Sequence, residues 1–316
     1  MTLRREAARD RLRAASIMVL CAILWSTGGL GVKLSDTSAL SISGYRSFFA
    51  LLVMGADTLY RARRAKVSPF STIREPIVWG AAVSYCVMVI SFVASAKMTT
   101  AANAIFIQYT GTVYVALLSW PVLREKLSIW DFLAIGCCIR GLLWFFGGEL
   151  DPHGFQGNMI AVVSSVGFAG LPVLLKLGER KLTSKGRAAE VPVMTILAMS
   201  LGNALTIVVC SRTMMLSPPP HEKAWFTIAM LGIFQIGAPY ILYGIAVQKL
   251  RALESTVIAT IEPIMTPIWV LAVTGERPSR AAIYGGSLVA LAVLLQAFGS
   301  SRARPQKAGA VPNKST

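Results

Sequence analysis

Within the apolar stretch from Ala252 to Glu276, Glu262-Pro263 stands near the middle and Pro267 follows one helical turn later. A carboxylate at mid-membrane costs about 3 kcal/mol unless a partner or a function uses it. Prolines four residues apart remove two backbone donors from a helix, so free carbonyls face whatever lies beside them. Two chemistries fit. Glu262 titrates, or balances a substrate ammonium or an incoming proton; or it hydrogen-bonds within the bundle while Pro263 only bends the helix.

Other polar and aromatic residues interrupt apolar runs in the same way. Asn103, Gln108, Tyr109, Thr110 and Thr112 make one run the most polar of the first half, and Asn103, Gln108 and Thr112 have near-helical spacing. Such a face does not look at lipid. Gln235 precedes Gly237-Ala238-Pro239-Tyr240, a kink signal with Tyr243 close behind. Together Trp25, Tyr85, Tyr109, Phe168, Tyr240 and Tyr243 would suit an apolar or aromatic side chain by stacking, while Asn103, Gln108 and Gln235 would hydrogen-bond amino and carboxyl groups. Pro239, Pro263 and Pro267 are the candidate hinges. Arg46 reads as a side chain snorkelling to the interface or as a substrate contact. Near mid-depth, Arg140 reads as the partner of a carbonyl or acid in the bundle, or as the holder of an anionic group.

Some chemistry has no residues to perform it. The two histidines, His153 and His221, fall in loops, which leaves an intramembrane zinc or His-dependent protease without ligands. No G-x-x-x-x-G-K-[ST] run cradles a nucleotide phosphate. The five cysteines lack metal spacing and read as small packing residues. No enzyme activity and no cofactor are therefore expected.

The elements that must position these groups are membrane helices. Of 316 residues 54% are hydrophobic and 15% charged, and mean hydropathy is +0.60. About ten runs of roughly 20 apolar residues recur, the length that crosses a bilayer: 15–34, 42–60, 76–96, 101–120, 128–147, 156–177, 191–210, 224–246, 253–273 and 281–299. The Arg-rich start before Ile17–Leu30 reads as an uncleaved first helix rather than a signal peptide. With the N-terminus inside, about 23 of the 31 Lys and Arg fall in inside segments and roughly six outside. The net charge of +16 is thus topological: it follows the positive-inside rule, brings contact with lipid headgroups, and does not imply nucleic acid. Both chain ends are expected in the cytoplasm.

The chain also repeats itself. Thr112 and Pro263 are each followed thirteen residues later by a Glu, Glu125 and Glu276, with a Lys or Arg beside it. Trp25 and Phe168 are each followed eight residues later by a lysine, Lys33 and Lys176. These matches divide the chain into a five-helix unit over 1–150, its arm 1–14 basic, a second over 151–299, and a disordered basic tail over 300–316. Five crossings are odd in number, so the second unit runs inverted, an arrangement of secondary transporters with the substrate site between the halves.

These half-repeat endings, with Trp25-Ser26-Thr27 and Lys33, Tyr45-Arg46 and Glu262-Pro263, resemble the EamA-type drug/metabolite transporter superfamily over roughly 15–299. The resemblance implies ten helices in two inverted repeats and a central cavity lined by the first, third, fourth, sixth, eighth and ninth, with the fifth and tenth peripheral. The chain departs from the pattern at Thr112, where the second half has Pro263, so alike bending of the halves does not follow. Members of that superfamily export amino acids, aromatic ones among them, and other metabolites and drugs. The combined expectation is an all-α inner-membrane secondary transporter, independent of ATP, exporting neutral or aromatic amino acids by alternating access, as a monomer or homodimer. Alternatives are a multidrug or sugar-type metabolite transporter of the same fold, or a non-transporting membrane scaffold.

Overall fold

A computed structural model describes residues 2–124, 127–147, 152–246, 250 and 258–302. Glu125 and its neighbour Lys126, the boundary at 150/151, the start of the ninth run and the tail from 303 onward lie outside the described residues.

All regular structure among the described residues is helical. The first crossing is α1 (Thr2–Ser26) and α2 (Gly28–Leu34), interrupted at Thr27, whose hydroxyl donates to the Leu24 carbonyl at 2.7 Å. Helix α3 (Ala39–Ala65) begins at Ser38, whose side chain accepts from the Ser41 amide, and ends at Lys66 in the left-handed region. The short α4 (Pro69–Ile73) leads to α5 (Pro76–Met98), with proline at its first position where no amide partner is needed. The fourth crossing is again interrupted: α6 (Ala101–Tyr109) and α7 (Gly111–Leu123) meet at Thr110. Helices α8 (Ile129–Gly147), α9 (Pro152–Ser184) and α10 (Val191–Leu216) follow.

Next, α11 (Glu222–Met230) passes through a π-helical turn, Leu231–Gly237, into α12 (Ala238–Ala246). Pro239 has no amide to offer the carbonyl four residues back, and the chain widens just before it: the Ala238 amide reaches the Ile233 carbonyl instead. The widened turn needs room, and Gly232 provides it, because a Cβ there would lie 2.5 Å from the Arg46 carbonyl on α3. Last come α13 (Ile261–Thr274) and α14 (Arg280–Arg302). Nine helices among the described residues are long and apolar enough to cross a membrane, and α13 is a shorter apolar helix of 14 residues.

The packing repeats under exchange of the halves. The second crossings pack together (α3 on α10), and so do the fifth (α8 on α14). The third crossing of one half packs on the first of the other, α5 on α9 and α12 on α1. Each fourth crossing rests on the opposite first, α6 and α7 on α9, α13 on α1 and α2. This is the contact pattern of two inverted five-helix repeats.

Both ends of the bundle are tied by charge. At the end where α5 begins, Glu75 accepts from Lys181 and Lys185 at 3.1 Å and from Arg187 at 2.7 Å. Donation from Lys181, then Lys185, pulls the Glu75 carboxyl down to about 2. At the opposite end, Lys33 lies 2.7 Å from Glu276 and donates to the Thr99 carbonyl at 2.9 Å. Glu276 also accepts from the Ala101 amide at 2.8 Å, fastening the start of α6 to the end of α13.

Candidate functional site

The interrupted helices bring the candidate residues together. Pro263 cannot donate to the Ala259 carbonyl, and that carbonyl is 3.0 Å from the Tyr109 hydroxyl, at the end of α6. The same hydroxyl donates to Glu262 Oε2 at 2.7 Å. The break in the fourth crossing and the start of α13 therefore meet through one phenol. Glu262 is a hydrogen-bonded group inside the bundle, half-buried and without an ion pair among the described residues.

Helix α13 divides its faces by helical spacing. Glu262, Thr266 and Trp269 point inward: Thr266 donates to the Ser26 carbonyl at 3.1 Å and the Trp269 indole to the Ser26 hydroxyl at 3.0 Å. Ile264, Ile268 and Leu271 point outward, exposed, and with Phe106 and Ile283 line an apolar groove of about 220 Å³ that suits lipid chains rather than a polar solute. Ser26 stands at the break between α1 and α2, so the first and ninth crossings are laced where backbone groups are loose. Neither Ser26 nor Trp269 has a sequence spacing that announces this pairing.

The aromatic residues form one group. Trp25 packs tilted against Tyr240 and Tyr243 with centroids 5.4 and 5.7 Å apart, and Tyr85 meets Tyr240 edge-on at 5.8 Å. Tyr109 faces Phe168 at 5.7 Å. Tyr240 joins the two subsets, lying within electrostatic reach of Tyr85, Tyr109, Tyr243, Glu262 and Arg46. The Tyr85 hydroxyl is held by Asn203 at 3.2 Å, a residue of α10 that the sequence pattern did not single out.

Gln235, in the π turn, accepts from Arg46 at 3.3 Å and donates to the Trp25 carbonyl at 3.4 Å. It belongs with the aromatic group. Asn103 and Gln108 are given other work. The Asn103 side chain donates to Thr99 and Asn158, both at 3.2 Å, fastening α6 to α9. The Gln108 carbonyl accepts from Ser164 at 3.0 Å, and that hydroxyl is also 3.0 Å from the Met88 carbonyl, joining α6, α9 and α5. Both sit at near-helical spacing because one face of α6 is a polar seam against α9.

The two arginines exchange expectations. Arg46 does not snorkel: it is 2% exposed, inside the bundle beside Tyr85 and Tyr240. Position one turn from a helix end suggested the interface, but α3 is covered there by α10 and the π turn. Arg140 is exposed on α8 beside Leu143 and Trp144, so it is not a buried partner within the bundle. Of the hinge candidates, Pro239 follows the π turn and its carbonyl accepts from Cys21 Sγ at 3.4 Å, Pro263 frees Ala259, and Pro267 is buried in α13 beside Thr266. Among the described residues, no three His, Cys, Asp or Glu side chains gather into a metal site.

Comparison with known proteins gives one family. The model of the EamA-like transporter family matches twice, over residues 12–147 and 155–298. Human solute carrier family 35 member G1 is 28% identical over 175 residues, 51% of this chain and 47% of that protein, so the match spans about half of that relative's length. An uncharacterized transporter of Archaeoglobus fulgidus is 24% identical over 280 residues, covering 88% of this chain and 94% of the relative. A protein solved by crystallography shares the fold with a TM-score of 0.61 at 18% identity, over 93% of this chain and 100% of its own.

Proposed function

Because this chain belongs to the EamA-like transporter family and is a multi-pass membrane transporter, we propose that its cargo is a small zwitterion, neutral and aromatic amino acids foremost, carried outward across the cell inner membrane. One observation carries the reading: Trp25, Tyr85, Tyr109, Phe168, Tyr240 and Tyr243 assemble with Glu262 where the interrupted helices of both halves meet. Aromatic faces accept an apolar side chain without demanding its exact shape. A carboxylate among them accepts an ammonium.

Movement is alternating access. One half rocks on the other, with the π turn before Pro239 and the proline entry to α13 as bending points. The Lys33–Glu276 tie must break for cargo to pass that end of the bundle, and the Glu75 cluster closes the other. Both termini lie in the cytoplasm, the side on which the basic segments gather.

The test is counterflow in proteoliposomes. Vesicles preloaded with unlabelled L-phenylalanine, L-tryptophan or L-leucine should accumulate the labelled compound at least tenfold above protein-free vesicles. Accumulation confined to drugs or sugar-type metabolites would replace this substrate class with the alternative one. Single cysteines placed in the tail and in the 61–75 loop should both be shielded from an impermeant reagent in intact cells; labelling at either reverses the orientation.

A further inference from the structure

Resting on the transport reading, we propose that Arg46 is the substrate's anion anchor, a carboxylate docking on its guanidinium while the amino group meets Glu262. Arg46 carries five N–H donors. Among the described residues only one bond uses them, a long 3.3 Å contact to neutral Gln235, and Nε–H has no partner at all. No Asp or Glu among the described residues lies within ion-pair distance of it, although the residue is only 2% exposed. Buried charges in proteins are as a rule paired. A guanidinium left this way holds a fork shaped for a carboxylate.

A second free donor belongs to a neighbouring residue. The Trp25 indole N–H is buried without a partner, and Gln235 links the Arg46 guanidinium to the Trp25 backbone carbonyl. The negative pole stands apart: Glu262 is held by Tyr109, and Tyr240 is within electrostatic reach of both Arg46 and Glu262. Arg46 and Glu262 form no ion pair with each other. One cation and one anion that share a tyrosine within reach, without pairing, are a net-neutral site with separated poles, which matches an amino acid's own zwitterion and leaves the complex neutral. A phosphate dianion would call for more positive charge than a single guanidinium. An amine without an acid group leaves Arg46 unanswered.

The experiment cuts the ligand as well as the protein. Reconstituted transporter is given labelled L-phenylalanine with unlabelled competitors: L-phenylalanine, its amide, or phenethylamine. Competition by the acid should exceed that by the amide and the amine at least tenfold, and Arg46→Gln should abolish that preference. Arg46→Lys should retain part of it, since a point charge attracts a carboxylate without the fork. Monodisperse elution and an unchanged melting temperature certify the variants. The competitor series alone decides if they do not fold. Equal competition by acid and amide in the wild type overturns the anchor while leaving transport standing, and so does an Arg46→Gln protein that keeps the preference. A wild type that neither transports phenylalanine nor shows a Trp fluorescence change with it overturns the anchor and the transport reading together.

Discussion

The fourth and ninth crossings hold matching places in the two halves, yet they are interrupted by different means. In the ninth crossing the interruption is made by removing donors: Pro263 frees the Ala259 carbonyl for the Tyr109 hydroxyl, while Thr266 and Trp269 donate to Ser26 at the break in the first crossing. In the fourth crossing there is no such proline at Thr110. There the backbone simply comes too close to its neighbour for a side chain. A Cβ on Gly111 would stand 2.5 Å from the Ser165 carbonyl and 2.9 Å from the Phe168 ring. Hydrogen bonds lace both seams, but the fourth crossing adds to its Asn103 and Gln108 bonds a backbone-to-backbone approach that the ninth lacks among the described residues. Hydrogen bonds can exchange partners whereas backbone contact is fixed by shape, so under the proposed rocking motion α13 is the partner expected to move more.

The largest expected effect breaks the close seam. Gly111→Ala forces a methyl against backbone oxygen, which has no rotamer to escape into, and should cost about 3 kcal/mol. In the other seam Gly29→Ala meets Thr266 Cγ2 at 2.7 Å, a side-chain atom that can shift by a few tenths of an ångström more readily than backbone; the expected loss is about 1 kcal/mol. Thermal melting of the purified proteins in one detergent compares them. Equal losses would mean that both seams are rigid, and the contrast would go.

The next test sharpens the polar seam. Tyr109→Phe removes the donor to both Glu262 and the Ala259 carbonyl, an expected loss of about 1–3 kcal/mol. Pro263→Ala returns an amide that can bond the Ala259 carbonyl along the helix. In that background Tyr109→Phe should cost less, with a coupling of about 1 kcal/mol across the double-mutant cycle. Additive losses would show that the phenol does not answer the proline.

Much of this was legible in the sequence, and the reasons are particular. Apolar runs and the odd-numbered repeat gave the helices and their inversion, because the bilayer fixes both length and backbone pairing. Glu262, Tyr109 and the aromatic residues were legible as exceptions within apolar stretches. Asn103 and Gln108 look the same in sequence, and their side chains bond residues of α9, since a polar residue in a membrane helix needs a partner whether or not a substrate passes. The depth of Arg46 along α3 leaves both an interfacial side chain and a substrate contact open; only the packing of α10 and the π turn over it reveals its burial. The fourth crossing's interruption has no proline to announce it, and the neighbour that crowds Gly111 beside the break, the Ser165 carbonyl, is contributed by a distant part of the chain.

The smallest expected effect separates the charged ends from the interior seams. Glu75 is answered by Lys181, Lys185 and Arg187, whose side chains are 39%, 47% and 28% exposed, so solvent screens much of the attraction. Glu75→Gln should therefore cost only about 0.5–1 kcal/mol at neutral pH and less in high salt. Its carboxyl is held below the ordinary range, at about 2, so the stabilisation is fully present above the ordinary carboxylate value and fades as pH falls from there toward about 2. Wild type and variant should accordingly melt apart at pH 7 and converge through that acid window. A gap that persists at pH 2 would show that Glu75 acts by packing, and the end cluster would then join the close-packed seam rather than the polar one.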